Sequence, residues 1–176
     1  FGIATLGGMH AAKPRLVQDL LDSQADSDPR FWRLLNVKYL VLDQPLDPQR
    51  TPPFLQLVHT GSGAIYENLL ALPRATVVGA YGVVPDTGFA DIDSIRAGHH
   101  DPSEYTWLVK DPGVTLGPVN GATATITKYA LQEVDVTVDT PGQGILRLAD
   151  LWYPDWKVTV DGKPAEMLRA DHALRA

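Results

Sequence analysis

Asp150-Leu151-Trp152-Tyr153-Pro154-Asp155-Trp156-Lys157-Val158-Thr159-Val160-Asp161-Gly162-Lys163-Pro164 is the stretch whose reading decides the fold. Trp156, Val158 and Val160 alternate with Lys157 and Thr159, the period of two that gives a strand one apolar and one polar face. Asp161-Gly162 supplies the positive φ angles of a tight two-residue turn. The partner strand is expected over 165–170. Pro164 cannot donate to a ladder, so it belongs at the first, outward position of that strand or on an edge. Pro154 interrupts the preceding strand, which places Trp152 and Trp156 in different local segments.

Upstream of this hairpin the chain keeps the same character. Residues 123–129 alternate, and Val134, Val136 and Val138 alternate with Asp135, Thr137 and Asp139. Pro141-Gly142 turns, and a strand over 145–151 follows. Four or five strands at regular spacing, with turn residues between them, predict an antiparallel sandwich or jelly roll. The first part reads differently. Residues 1–10 are Gly-rich loop. Pro14 suits the first position of a helix carrying Leu16, Val17, Leu20 and Leu21 on one face. Residues 23–28 are polar loop. Ser27 or Asp28 caps a second helix with Pro29 at its first position. A buried strand is expected over 37–42, then an irregular stretch with four prolines over 45–53. A hairpin flanks Gly61-Ser62-Gly63, a Val-rich strand runs over 75–84, Asp91 caps a short helix over 91–96, and a strand covers 105–109. The expected fold class is α+β: a mainly antiparallel, jelly-roll-like β-sandwich over 61–176, and a small α/β portion over 1–60 that packs with it as one compact unit.

The chain has 176 residues, long enough for a core that needs no staples. Its formal net charge is −6 and it carries no basic run, which argues against a nucleic-acid partner and against docking on anionic lipid. The absence of cysteine excludes disulfides, thiolate catalysis and zinc–thiolate sites. No apolar run approaches the ~20 residues of a membrane helix, so a soluble unit is expected. The start at Phe1 and the end at Ala176, directly after a strand-like stretch, lead to the expectation of a piece of a longer protein.

Little catalytic chemistry is legible. His99-His100 beside Asp101 invites a metal reading, but adjacent histidines on a strand point to opposite faces and no helical i, i+4 pair accompanies them, so a solvated loop is the better reading. Gly61-Ser62-Gly63 lacks the context of a nucleophile elbow. Gly142-Gln143-Gly144 lies between strands and opens no helix, so it is a turn and not a phosphate cradle. Asp150, Asp155 and Asp161 stand among aromatic rings, as carboxylates of glycosidases do. Asp161 is accounted for by the turn, and structural use of Asp150 and Asp155 beside the proline bend is favoured. Trp152, Tyr153 and Trp156 form either a platform for a sugar ring or, the favoured reading, part of the core, with Tyr153 anchoring the bend. No catalytic residue, metal site or cofactor is assigned.

Tyr153-Pro154-Asp155-Trp156-Lys157 with Val160-Asp161-Gly162-Lys163-Pro164 resembles the tail motif of the bacterial YfhO-type membrane proteins, Tyr-Tyr-Pro-Gly-Trp-Lys followed by Val-Asp-Gly-Lys. Trp152 stands for the first Tyr and Asp155 stands where Gly is usual. Leu34-Leu35-Asn36-Val37-Lys38-Tyr39, Tyr66-Glu67-Asn68, Leu72-Pro73-Arg74-Ala75 and the Asp171–Arg175 stretch resemble further segments of that family, in the same order. The resemblance runs from about Gly7 to Ala176. It implies a soluble domain that follows the helices of a polytopic protein with a glycosyltransferase-C-like membrane core, on the outer face of the bacterial cytoplasmic membrane. Some members of the family are linked to transfer of sugars from a lipid carrier onto cell-envelope polymers. The implied role is accessory and non-catalytic: binding an acceptor glycan, with Trp152, Tyr153 and Asp155 as the glycan-binding residues, or bracing the membrane core of its own parent chain. The alternatives are a sandwich-fold glycoside hydrolase with Asp150 or Asp155 as acid or base, and a purely structural or partner-docking module.

Overall fold

The computed structural model describes residues 14–176. The expected Gly-rich loop over 1–10 lies outside the described residues. Pro14 stands just before the first helix, α1 (Arg15–Asp22), and its carbonyl accepts from the N–H groups of Val17 and Gln18. A 3-10 turn, Ala25–Ser27, occupies the expected polar loop. The second helix, α2 (Pro29–Leu34), starts as the capping rule requires, with the Asp28 carboxylate accepting from Arg30 N–H at 2.9 Å and Pro29 in the first turn.

The fold is α+β and mainly antiparallel β. The first sheet has the order β1–β3–β2, formed by β1 (Tyr39–Leu42), β2 (Leu55–Thr60) and β3 (Ala64–Asn68). The glycine-flanked hairpin joins β2 and β3, and so carries this sheet across residue 60. The expected buried strand over 37–42 begins two residues later and is half exposed. Tyr39 and Val41 face out while Leu40 and Leu42 pack inward over Leu55, Ala64 and Tyr66, because β1 is an edge strand with one face to solvent.

The largest sheet has six strands in the order β4–β9–β13–β12–β6–β5: β4 (Ala75–Val78), β9 (Ile145–Leu151), β13 (Leu174–Arg175), β12 (Arg169–Ala170), β6 (Tyr105–Leu108) and β5 (Ala80–Val83). The single strand expected over 75–84 is thus two strands, and they form the two edges of one sheet. Only Gly79 separates them, and consecutive Cα atoms lie ~3.8 Å apart. The edges therefore meet at Gly79, and the sheet curls back on itself. The carbonyl of Gly117 packs where a side chain at 79 would stand, so glycine is required at the crossing. β5 and β6 pair in parallel; the other ladders are antiparallel. Helix α3 (Ala90–Ala97) connects them, with Phe89 rather than Asp91 at its N-cap position and Asp91 buried in its first turn.

Two hairpins complete the chain. β7 (Thr123–Ala130) pairs with β8 (Glu133–Asp139), and β10 (Val158–Val160) pairs with β11 (Lys163–Ala165). Asp161 and Gly162 have φ of 50° and 74°, the two positive angles expected of the turn. The returning strand is shorter than expected: Glu166 to Leu168 leave the ladder so that Arg169 and Ala170 can join the large sheet. Leu20, Phe31, Leu34, Ile92 and Ile95 of the helices pack together against Ala173, and Val78, Leu108, Ile145, Ala170 and Leu174 fill the large sheet.

Candidate functional site

The bend over Trp152 to Trp156 is held from both ends. Trp152 N–H donates to the Ala173 carbonyl at 2.7 Å, which ties the exit of β9 to the last hairpin. Trp156 N–H donates to the Tyr153 carbonyl at 3.2 Å, closing a turn with Pro154 at its second position. The two indoles are half-buried. The Arg175 guanidinium lies 4.1 Å from the centre of the Trp156 ring, and that of Arg169 lies 5.8 Å from the Trp152 ring, both within cation–π range. The indole N–H of Trp152 is buried and has no partner among the described residues. The tip of the turn is open: Tyr153 is 53% exposed and Asp155 is exposed. The structure thus presents Tyr153 and Asp155 together at the surface, and uses the tryptophans as their footing.

Beneath the bend, Asp150 is buried and occupied. Its carboxylate accepts from Arg74 Nη1 at 2.6 Å and from the Tyr129 hydroxyl at 2.9 Å, and Arg175 Nη2 stands 3.1 Å away. Arg74 also donates to the Tyr129 hydroxyl at 2.6 Å. Burial first, and then the Asp150 carboxylate, push the Tyr129 phenol above its ordinary value. Burial lowers the Arg175 guanidinium, against the opposing pull of Asp150. One carboxylate shared by two guanidiniums and a phenol is an ion centre that joins the residue ahead of β4 to β7, β9 and β13. The Asp150 side chain is 6% exposed, and its Oδ2 is buried beside Arg175 with no hydrogen-bond partner among the described residues.

The other expectations fall as follows. His99 and His100 are exposed in a loop, and the His100 ring lies face to face on Tyr105, with centroids 3.8 Å apart and planes 7° from parallel. Among the described residues no group of three or more His, Asp or Glu side chains is placed to hold a metal ion. Gly61-Ser62-Gly63 is the tip of the β2–β3 hairpin, and Gly142-Gln143-Gly144 links β8 to β9.

No family model, no curated protein and no solved structure matches this chain. Two of its polar centres have no visible signal in the sequence. Arg147 and Asp171 form an ion pair at 3.0 Å with both side chains 2% exposed. His172 is buried with Nδ1 3.0 Å from Asp91 and Nε2 3.7 Å from Asp19. Asp171 and His172 have φ of 44° and 73°, consecutive left-handed residues at the tip of the β12–β13 hairpin. Asp and His are among the residues that tolerate this region, but the tip lacks the glycine or asparagine of a stronger turn signal.

Proposed function

We propose that this chain is a non-catalytic, extracytoplasmic domain of a YfhO-type polytopic membrane protein, and that it holds an acceptor glycan beside a glycosyltransferase-C-like membrane core. One observation carries the glycan part of this reading: Tyr153 and Asp155 stand exposed on a turn whose two flanking tryptophans are pinned beneath arginines. An exposed phenol ring offers a stacking face, and a neighbouring carboxylate accepts from sugar hydroxyls. A pinned base lowers the ordering cost of binding. Trp152 completes the site as the half-buried support of the turn.

The segments that resemble the family also bond to one another, which supports reading them as one unit. Asn36 Nδ2 donates to the Leu72 carbonyl at 2.7 Å, Asn68 Nδ2 donates to the Val37 carbonyl at 2.9 Å, and Arg74 reaches Asp150. No helix among the described residues is long and apolar enough to cross a membrane. The helices of the parent would therefore be supplied by other parts of that protein, on the outer face of the cytoplasmic membrane.

A second reading, bracing or docking onto that membrane core, is favoured by a separate observation. Tyr39 and Val41 project from one face of the edge strand β1, and Val41 is 75% exposed. Titration with envelope oligosaccharides followed by NMR separates the two. Under the glycan reading, binding is saturable and weakened roughly fivefold in Tyr153→Ala, the worth of one stacked ring. Asp155→Asn weakens it similarly without loss of stability. Wild-type protein that binds none of the oligosaccharides removes the glycan role and leaves bracing.

A further inference from the structure

A cleft of about 290 Å³ opens between α2, α3 and the start of β6. It shares no residue with the Tyr153 turn, and its chemistry is different. Its aromatic wall consists of Tyr105 and Trp107, whose rings meet edge to face at 5.1 Å, and of His100 laid flat on Tyr105. His100 is an exposed residue with one ring face covered by Tyr105, so the other face is the one left to solvent. Gly82 makes this wall possible. It pairs with Trp107 across the parallel ladder, and a side chain there would overlap the Tyr105 hydroxyl and the Trp107 ring.

The opposite wall is cationic. Arg30 and Arg33 line it: Arg30 pairs with Asp28, a carboxylate outside the cleft that also faces Arg96, and Arg33 pairs with Asp101. Asp28 is thus divided between two guanidiniums, which leaves Arg30 incompletely neutralised on a chain whose formal net charge is −6. The Arg33–Asp101 contact is long, 3.3 Å, and Arg33 Nε is buried with no partner among the described residues. Asp171, at the floor, is already neutralised by Arg147. Asp101 is fixed by the Ser103 hydroxyl at 2.6 Å and the Ser103 N–H at 2.8 Å, which leaves an oriented acceptor at the mouth. Those bonds, ahead of the Arg33 charge, hold its carboxyl below the ordinary carboxylate value.

We propose that this cleft binds the anionic unit of an acidic saccharide, a single sugar ring that carries a carboxylate or a phosphate. The ring stacks on the open face of His100, the anion pairs with Arg33 and Arg30, and Asp101 accepts from ring hydroxyls. The volume lies at the small end of the ~300–1,000 Å³ range of ligand clefts, which suits one ring and not a nucleotide. The planar guanidinium forks of Arg30 and Arg33, 52% and 25% exposed, match a carboxylate or phosphate, and a neutral sugar does not meet them.

The test is a titration of the 176-residue chain with glucuronate, glucose 1-phosphate, glucose and inorganic phosphate, followed on the backbone amides of residues 98–101 and the Trp107 indole. One or both of the two anionic sugars should shift these signals saturably and more weakly at high salt; the two arms tell a carboxylate ligand from a phosphate ligand. Arg33→Gln should raise Kd roughly tenfold or more, the loss of one charge-assisted hydrogen bond. His100→Ala, in an exposed loop and so harmless to folding, should raise it severalfold. Tyr153→Ala should leave this binding unchanged, so the cleft and the Tyr153 turn stand or fall separately. The proposal is overturned if none of the probes shifts these residues, if glucose or inorganic phosphate binds as tightly as the anionic sugars, or if both cleft variants bind like the wild type.

Discussion

Asp171→Asn isolates the charge at the centre of the fold. The side chain of Asp171 accepts from the Thr106 hydroxyl at 2.8 Å, from Trp107 N–H at 2.9 Å and from Arg147 Nη1 at 3.0 Å. Asparagine keeps the size of the side chain, an acceptor oxygen for the Trp107 N–H, and tolerance of the 44° φ. What it removes is the negative charge opposite a guanidinium that is 2% exposed. Arg147 still donates to the carbonyls of Pro102 at 2.6 Å and Tyr105 at 3.2 Å, but it has no other carboxylate beside it. Leaving one charge of a buried pair uncompensated costs about 3–5 kcal/mol. With two carbonyls still bonded, we expect about 3 kcal/mol, a large part of the roughly 5–15 kcal/mol that holds a domain of this kind together. Urea unfolding followed by tryptophan fluorescence reads the loss as a lower midpoint at an unchanged slope. The double variant Arg147→Met/Asp171→Asn removes the stranded cation. It should be more stable than additivity of the single variants requires, by about 1–3 kcal/mol. A single variant within about 1 kcal/mol of wild type, or strict additivity of the pair, would refute the reasoning.

Two further outcomes follow from the same geometry. Gly82→Ala places a methyl group against the Tyr105 hydroxyl and the Trp107 ring, which must move; a loss of about 1–3 kcal/mol with altered near-ultraviolet circular dichroism is expected, and an unchanged spectrum would contradict the packing. The Tyr129 phenol has a raised folded pKa, so its contribution is complete below the unfolded value near 10.0 and is lost as pH rises through the folded one. Alkaline denaturation should therefore begin at higher pH in Tyr129→Phe than in wild type once neutral-pH stabilities are matched, and coincident curves would remove Tyr129 from that transition.

Several elements were legible because their causes are local. Asp28 ahead of Pro29 capped a helix, Asp161-Gly162 turned a hairpin, and alternation marked β7 and β8. The α+β class, mainly antiparallel, follows from those periods. The chain also marked the Trp152–Trp156 bend, since a proline between two large aromatics breaks a strand and exposes a tip. The exposure of each ring was not marked, because Arg169 and Arg175, which cover the indoles, arrive from strands that form later in the chain.

What the sequence by itself determined, then, is where strands, turns and helix starts lie, since backbone sterics and side-chain periodicity act over a few residues. Tertiary structure alone decided that the stretch over 75–83 breaks at Gly79 and supplies both edges of one sheet, because that break answers a carbonyl contributed by Gly117. It decided that Arg147 meets Asp171 and that His172 meets Asp91, pairings separated by 24 and 81 residues. It also assembled the cleft from α2, α3 and β6. Each of these depends on which distant groups share a buried volume. Charge and shape complementarity at that range is settled only when the sheet has curled and the helices have packed upon it.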